Sequence, residues 1–253
     1  MHRLNEREEG CFYIEHPSEF RPNGYLSDED VSDCFDFAYS MTFGDNGKHR
    51  DRRSGGQVHR RNGEIFADTF QGKLAEFAFY NIFRNSDVEI DPPDMRVMGL
   101  MEWDSSDFTV NGIEIAIKST KHFGNLLLLE TKDWDDEGRY IPNLSKGCSE
   151  YDYFVLERIS PECSSILKEN RMLYSDNADC DLLKDIILDI QWDANIVGYI
   201  SRKEFVTEVI GEDLILRQNS LLNGHTKMDA ENYYVQAGDM HPITELVKLI
   251  RQL

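Results

Sequence analysis

The dipeptide Asn111-Gly112 limits what this chain can become more than any other pair of residues in it. Both residue types tolerate positive φ, so together they make a two-residue turn whose twist suits two antiparallel strands. Alternating runs flank it, Phe108-Thr109-Val110 before and Ile113-Glu114-Ile115-Ala116-Ile117-Lys118 after, which predicts a β-hairpin. A two-residue loop pairs Val110 with Ile113, Thr109 with Glu114, Phe108 with Ile115 and Asp107 with Ala116. Opposed residues share a face and successive residues alternate. Phe108, Val110, Ile113, Ile115 and Ile117 therefore form an apolar face for the core, and Asp107, Thr109, Glu114, Ala116 and Lys118 form the other.

The rest of the chain reads as mixed α and β. Ser27 followed by Asp28-Glu29-Asp30 is a helix-cap pattern and predicts a helix over 28–41. Phe70, Leu74, Phe77 and Ile82 recur at helical spacing, predicting a helix over 66–83 that carries Glu76. Pro92-Pro93 breaks the chain, and strands are expected at 125–130, 153–158 and 196–200. Further helices are expected at 182–190 and, after Pro242, at 243–253. The expected class is α/β, a central mixed β-sheet flanked by helices, with insertions and the hairpin in the middle of the sheet. At 253 residues the chain sits near the upper limit for one core, so 1–253 is read as a single domain. Within it, 1–65 forms a helical and basic-loop extension suited to DNA recognition.

Charge is distributed unevenly. The formal net charge is −20, which opposes indiscriminate binding to a polyanion. Between Lys48 and Arg61, however, six cations (Lys48, Arg50, Arg52, Arg53, Arg60, Arg61) and two histidines meet one acid, Asp51. The segment has no regular period, and it reads either as a solvated loop or as an arm that contacts phosphate. The opening MHRLNEREEG lacks the apolar stretch of a signal peptide, and runs such as Leu126-Leu127-Leu128-Leu129 are too short to span a bilayer. A cytosolic protein with no membrane partner is expected. Five scattered cysteines without a C-x-x-C pair are read as reduced thiols. His59, His225 and His241 lack zinc spacing, so no zinc site is expected.

The polar hairpin face has chemical potential. A hard divalent cation takes carboxylate oxygens and water, polarises a phosphoryl group and helps to generate hydroxide. A neighbouring lysine can orient the attacking water and offset charge in the transition state. Asp107 and Lys118 on one strand pair provide both elements.

These residues resemble the PD-(D/E)XK nuclease core: an aspartate, a hairpin, then acid-x-Lys, here Asp107 and Ile113 to Lys118 followed by Ser119-Thr120. Gln71-Gly72-Lys73-Leu74-Ala75-Glu76 resembles the glutamate-bearing first helix of many members, and the likeness spans about residues 70–130. It implies a restriction-endonuclease-like core and a Mg²⁺-dependent type II restriction endonuclease that cuts double-stranded DNA as a homodimer. Asp107 and Glu76 would serve the metal, with the Ile117 carbonyl as a backbone ligand, and Lys118 would be the catalytic lysine. Lys121 and His122, just past the strand, would contact phosphate or else be solvated.

One position departs from the pattern: Ala116 stands where the acid of acid-x-Lys belongs. An alanine methyl cannot bind a cation. Three explanations are open: an inactive engineered variant, a natural variant in which Glu114 or Glu76 supplies the oxygens, or a protein that has lost catalysis. Glu114 lies on the correct face but one strand repeat away, about 6.8 Å. Other PD-(D/E)XK nucleases and a catalytically dead DNA-binding protein of this fold are the alternative functions. Asp94, in Pro93-Asp94, is read as a turn residue and Asp107 as the functional aspartate. By default Glu76 is a surface acid paired with Lys73 three residues before it. Trp103, Trp134 and Trp192 are read as packing residues.

Overall fold

The structure, a computed structural model, describes residues 1–44, 60–96, 107–146 and 150–253. Lys48, Arg50, Arg52, Arg53, His59, Trp103 and Cys148 lie outside these residues. The elements run β1 (Asn5–Glu8), β2 (Cys11–Tyr13), α1 (Asp28–Phe43), α2 (Asn62–Asn85), β3 (Phe108–Val110), β4 (Ile113–Lys121), β5 (Leu126–Glu130) and β6 (Tyr153–Ser160). They continue through α3 (Cys163–Glu169), α4 (Cys180–Leu188), β7 (Asp193–Ser201) and α5 (Arg202–Glu204), which runs into a π-helical turn over Phe205–Ile210. The chain closes with β8 (Ile215–Leu216), β9 (Leu221–Leu222), β10 (Thr226–Lys227), β11 (Asn232–Gln236) and α6 (Ile243–Arg251). The protein is of the α/β class.

Local chemistry accounts for the helices. The Ser27 hydroxyl accepts from the Asp30 amide while the Asp30 carboxylate takes the Ser27 amide, which closes a capping box on α1. In α6, Ile243, Leu246, Val247 and Ile250 are buried at the i, i+3, i+4, i+7 spacing of an amphipathic helix, and Pro242 precedes its first turn. α2 is longer than its apolar spacing predicts, because the carboxylate of Glu64 reaches back to the Arg61 amide at 2.9 Å and extends its start to Asn62.

The central sheet has the order β3-β4-β6-β7, antiparallel, parallel and antiparallel in turn. β6 is buried on both faces, as a strand inside a covered sheet must be. Val155 and Ile159 enter a helix-side core with Phe35 of α1, Phe70 of α2, Leu183 of α4 and Leu246 of α6. Phe154 and Leu156 enter a second core with Leu127 of β5, Phe205 after α5 and Tyr234 of β11. The expectation of helices flanking a central sheet is therefore only partly met. Helices cover one face, and a second sheet, β5-β11-β8, covers the other together with the π-helical turn that follows α5. The hairpin also lies toward one side of the described sheet, with β3 at its edge.

The N-terminal region joins both layers. α1 packs on α2 through Phe35 and Phe66, whose rings meet at 5.6 Å, so this part of 1–65 belongs to the helix-side core. β1 and β2 form a small mixed sheet with β9 and β10. Among the described residues no helix is long and apolar enough to cross a membrane.

Candidate functional site

Asn111 and Gly112 have φ of 51° and 79°, and the pairs Phe108–Ile115, Thr109–Glu114 and Val110–Ile113 stand in the register that the turn predicts. Phe108, Val110 and Ile115 are buried in the helix-side core. Ahead of β3, the Asp107 carboxylate takes over as the acceptor for the next free amide of β4: Ile117 donates to Asp107 Oδ2 at 2.6 Å. A strand residue's amide and carbonyl point to the same side, so the Ile117 carbonyl is directed toward Asp107 as well. This anchors Asp107 one residue before Lys118.

The remaining face residues sit as follows. Both oxygens of Glu114 accept from the Thr109 hydroxyl, at 3.1 and 3.0 Å. The Glu114 amide donates to the Asp152 carboxylate at 2.9 Å, and the Asp152 amide returns to the Glu114 carbonyl at 2.7 Å, which tie β4 to the start of β6. Ala116 is 1% exposed and lies in the second core with Phe154, Leu156 and Ile200. Lys118 is half-buried, and among the described residues none forms an ion pair with it.

Glu76 lies elsewhere. Its carboxylate pairs with Lys73 at 2.6 Å on α2, with both side chains largely covered, and Lys73 Nζ also donates to the Asp94 carbonyl at 2.9 Å. Lys73 sits 4.9 Å from the ring centre of Phe37. Beneath this pair is Glu157 of β6, fully buried, and among the described residues neither of its oxygens has a hydrogen-bond partner. Burial, and then the charge of Glu76, push its carboxyl well above the usual carboxylate range. Glu157 is in register with Ser119, whose hydroxyl accepts from the Gln71 side chain at 3.3 Å. Gln71, Lys73, Glu76, Ser119 and Glu157 thus share the helix side. Lys118 precedes Ser119 and faces away, so the expected approach of Glu76 to Lys118 and Asp107 is not what the fold builds.

The other anticipated residues have specific neighbours. Lys121 pairs with Glu162 at 3.1 Å, and His122 makes edge contacts with Phe20 and Phe123. Arg60 pairs with Asp68 and Arg61 with Asp176, at 2.7 and 2.6 Å, so both brace the start of α2. Arg96 grips Asp94 and holds its carboxyl below the usual range, as suits a turn residue. Trp134 and Trp192 are buried packing residues.

No protein-family model, curated protein or solved structure matches this chain. The functional reading rests on its own residues.

Glu157 is the group that sequence reasoning missed. Within Tyr153-Phe154-Val155-Leu156-Glu157-Arg158 it reads as the polar end of a strand, and only the strand's position beneath α2 buries it.

Proposed function

We propose that this chain is of the PD-(D/E)XK type II restriction endonuclease kind, engaging specific sites on double-stranded DNA as a homodimer, with Ala116 at the position of one metal-binding acid. The observation that carries the reading is the Asp107 carboxylate held on the Ile117 amide, next to Lys118 on a hairpin of defined register. An aspartate and a lysine held on adjacent strands could both reach one phosphate.

Mg²⁺, which the resemblance implies, needs an octahedron of oxygens at about 2.0–2.1 Å. Asp107 has one oxygen engaged by Ile117, Ala116 presents a methyl group, Glu114 is tied to Thr109, and Glu76 lies on the other face. These residues do not fit a Mg²⁺ centre. The chain as it stands is expected to hold DNA without cutting it.

Ala116→Asp and Ala116→Glu test this on plasmid DNA with MgCl₂ or EDTA. Mg²⁺-dependent cutting at discrete positions supports the reading. Folded acid variants that neither cut nor bind DNA overturn it. The close packing of Ala116 favours a second reading, a DNA-binding protein that keeps the fold without the chemistry, because a carboxylate in that apolar cluster requires a partner. Acid variants that bind duplex DNA tightly yet stay inert select this second reading.

A further inference from the structure

His2, His16 and Asp239 converge from three distant parts of the chain. The Nδ1 atoms of His2 and His16 lie 2.6 and 3.2 Å from the same carboxylate oxygen, Asp239 Oδ1. All three ligand atoms fall within 4.8 Å of one another, and the two imidazoles stack with centroids 3.8 Å apart and planes 17° from parallel. The Asp239 side chain is only 6% exposed, and its second oxygen takes the His2 amide at 2.8 Å.

The backbone beneath is fixed independently of these side chains. Gln236, fully buried at the end of β11, accepts from the amides of Glu15 and His16 at 2.8 and 2.9 Å and donates to the carbonyls of His2 and Arg3 at 3.1 and 3.2 Å. The Gly238 amide donates to the His16 carbonyl at 2.8 Å. One glutamine therefore positions both histidine-bearing segments beside the aspartate that follows it by three residues. Such positioning is what a ligand set needs before its ligand arrives.

With the ring protons carried at Nε2, the same two Nδ1 atoms and the carboxylate oxygen that converge here can turn their lone pairs on one divalent cation. Two imidazole nitrogens and one carboxylate oxygen suit a borderline cation of the Zn²⁺ class rather than Mg²⁺. Tetrahedral Zn²⁺ with ligand bonds of about 2.0–2.1 Å separates its ligand atoms by about 3.3 Å, so only small side-chain shifts are required.

We propose that His2, His16 and Asp239 form a three-ligand site for a Zn²⁺-class divalent cation, with the fourth position open to solvent on the side of the exposed His2 ring. The site fastens the segments before β1 and after β2 to the end of β11. It is independent of the hairpin and of the nuclease reading.

The full chain, prepared without a polyhistidine tag, is titrated with ZnCl₂ by calorimetry and with CoCl₂ by visible absorption, beside His2→Ala, His16→Ala and Asp239→Asn. The expected result is one Zn²⁺ bound per chain, a rise in melting temperature with Zn²⁺ but not with MgCl₂, and Co²⁺ ligand-field bands. Each variant should lose at least tenfold in affinity together with those bands. His2→Ala, which removes an exposed ring, keeps the test decisive if the other variants fail to fold. Unchanged Zn²⁺ affinity in His2→Ala, or no uptake by the unmodified chain at micromolar Zn²⁺, overturns the proposal.

Discussion

Glu157 and Arg158 are adjacent and both buried, yet they cannot neutralise each other, because successive strand residues point to opposite faces. Arg158 finds the Ser18 carbonyl and hydroxyl at 2.9 and 3.1 Å. Glu157 faces α2, where Glu76 repels it and Lys73 is already paired with Glu76. The sign of the resulting pH dependence follows from linkage. An unfolded glutamate titrates at about 4.3, and the folded pKa of Glu157 lies well above that value. Between the two, the folded state holds a proton that the unfolded state has released, so stability falls as pH rises through this window. Glu157→Gln should leave stability near pH 4 almost unchanged and raise it at neutral pH by about 1–3 kcal/mol. At about 2–4 °C per kcal/mol that is a rise of several degrees, read from melting curves across pH. A variant less stable than the parent at pH 7 would show that the ionised carboxylate has a partner in the folded protein.

At the scale of elements, the hairpin is the part whose sequence and structure agree in detail. Its turn needs positive φ at Gly112, and a Cβ there would meet nothing within 4 Å, so a side chain costs backbone strain alone. Gly112→Ala should therefore lower stability by about 1–2 kcal/mol, and the melting temperature by a few degrees. At Gly63, in the first turn of α2, the limit is contact instead, since a Cβ would run into the carbonyls of Met172 and Leu173. Gly63→Ala should be the more damaging change in the same melting assay. The reverse order would mean that the close approach of α2 to the segment after α3 is easily relaxed. Strand parity also explains why Glu76 fails to join Lys118. A hairpin defines which residues share a face, but it carries no information about which face a helix will cover.

For the whole molecule, charge and layering set the terms of any encounter with DNA. A net charge of −20 opposes approach, so a basic patch must act locally and its effect should depend strongly on salt. If Lys48, Arg50, Arg52 and Arg53 contact phosphate, replacing them with glutamine should weaken duplex binding for every sequence. The logarithmic salt slope should flatten by about 0.9 for each phosphate that is no longer neutralised. Arg60 and Arg61 already pair with Asp68 and Asp176, so replacing them should disturb the start of α2 and change the slope less. A slope that does not respond to the first four replacements would make those residues a solvated loop.

Short-range patterns in the amino-acid sequence predict the α/β class, the hairpin with its register, and, to within a few residues, helices α1, α2, α4 and α6 and strands β3 to β7, but not α3, α5 or the short strands β1, β2 and β8 to β11. Each predicted feature depends on interactions between residues close in the chain: turn dihedrals, caps and the two periodicities of apolar side chains. The sequence also determined that Asp107 would stand beside the strand of Lys118. The tertiary structure alone decided what covers each face: helices against Ile115 and Ile117, and a second sheet against Ala116. It buried Glu157, separated Glu76 from Lys118, and brought His2 and Asp239 together across 237 residues. These outcomes depend on which surfaces exclude water together, a property of distant segments that no local spacing encodes.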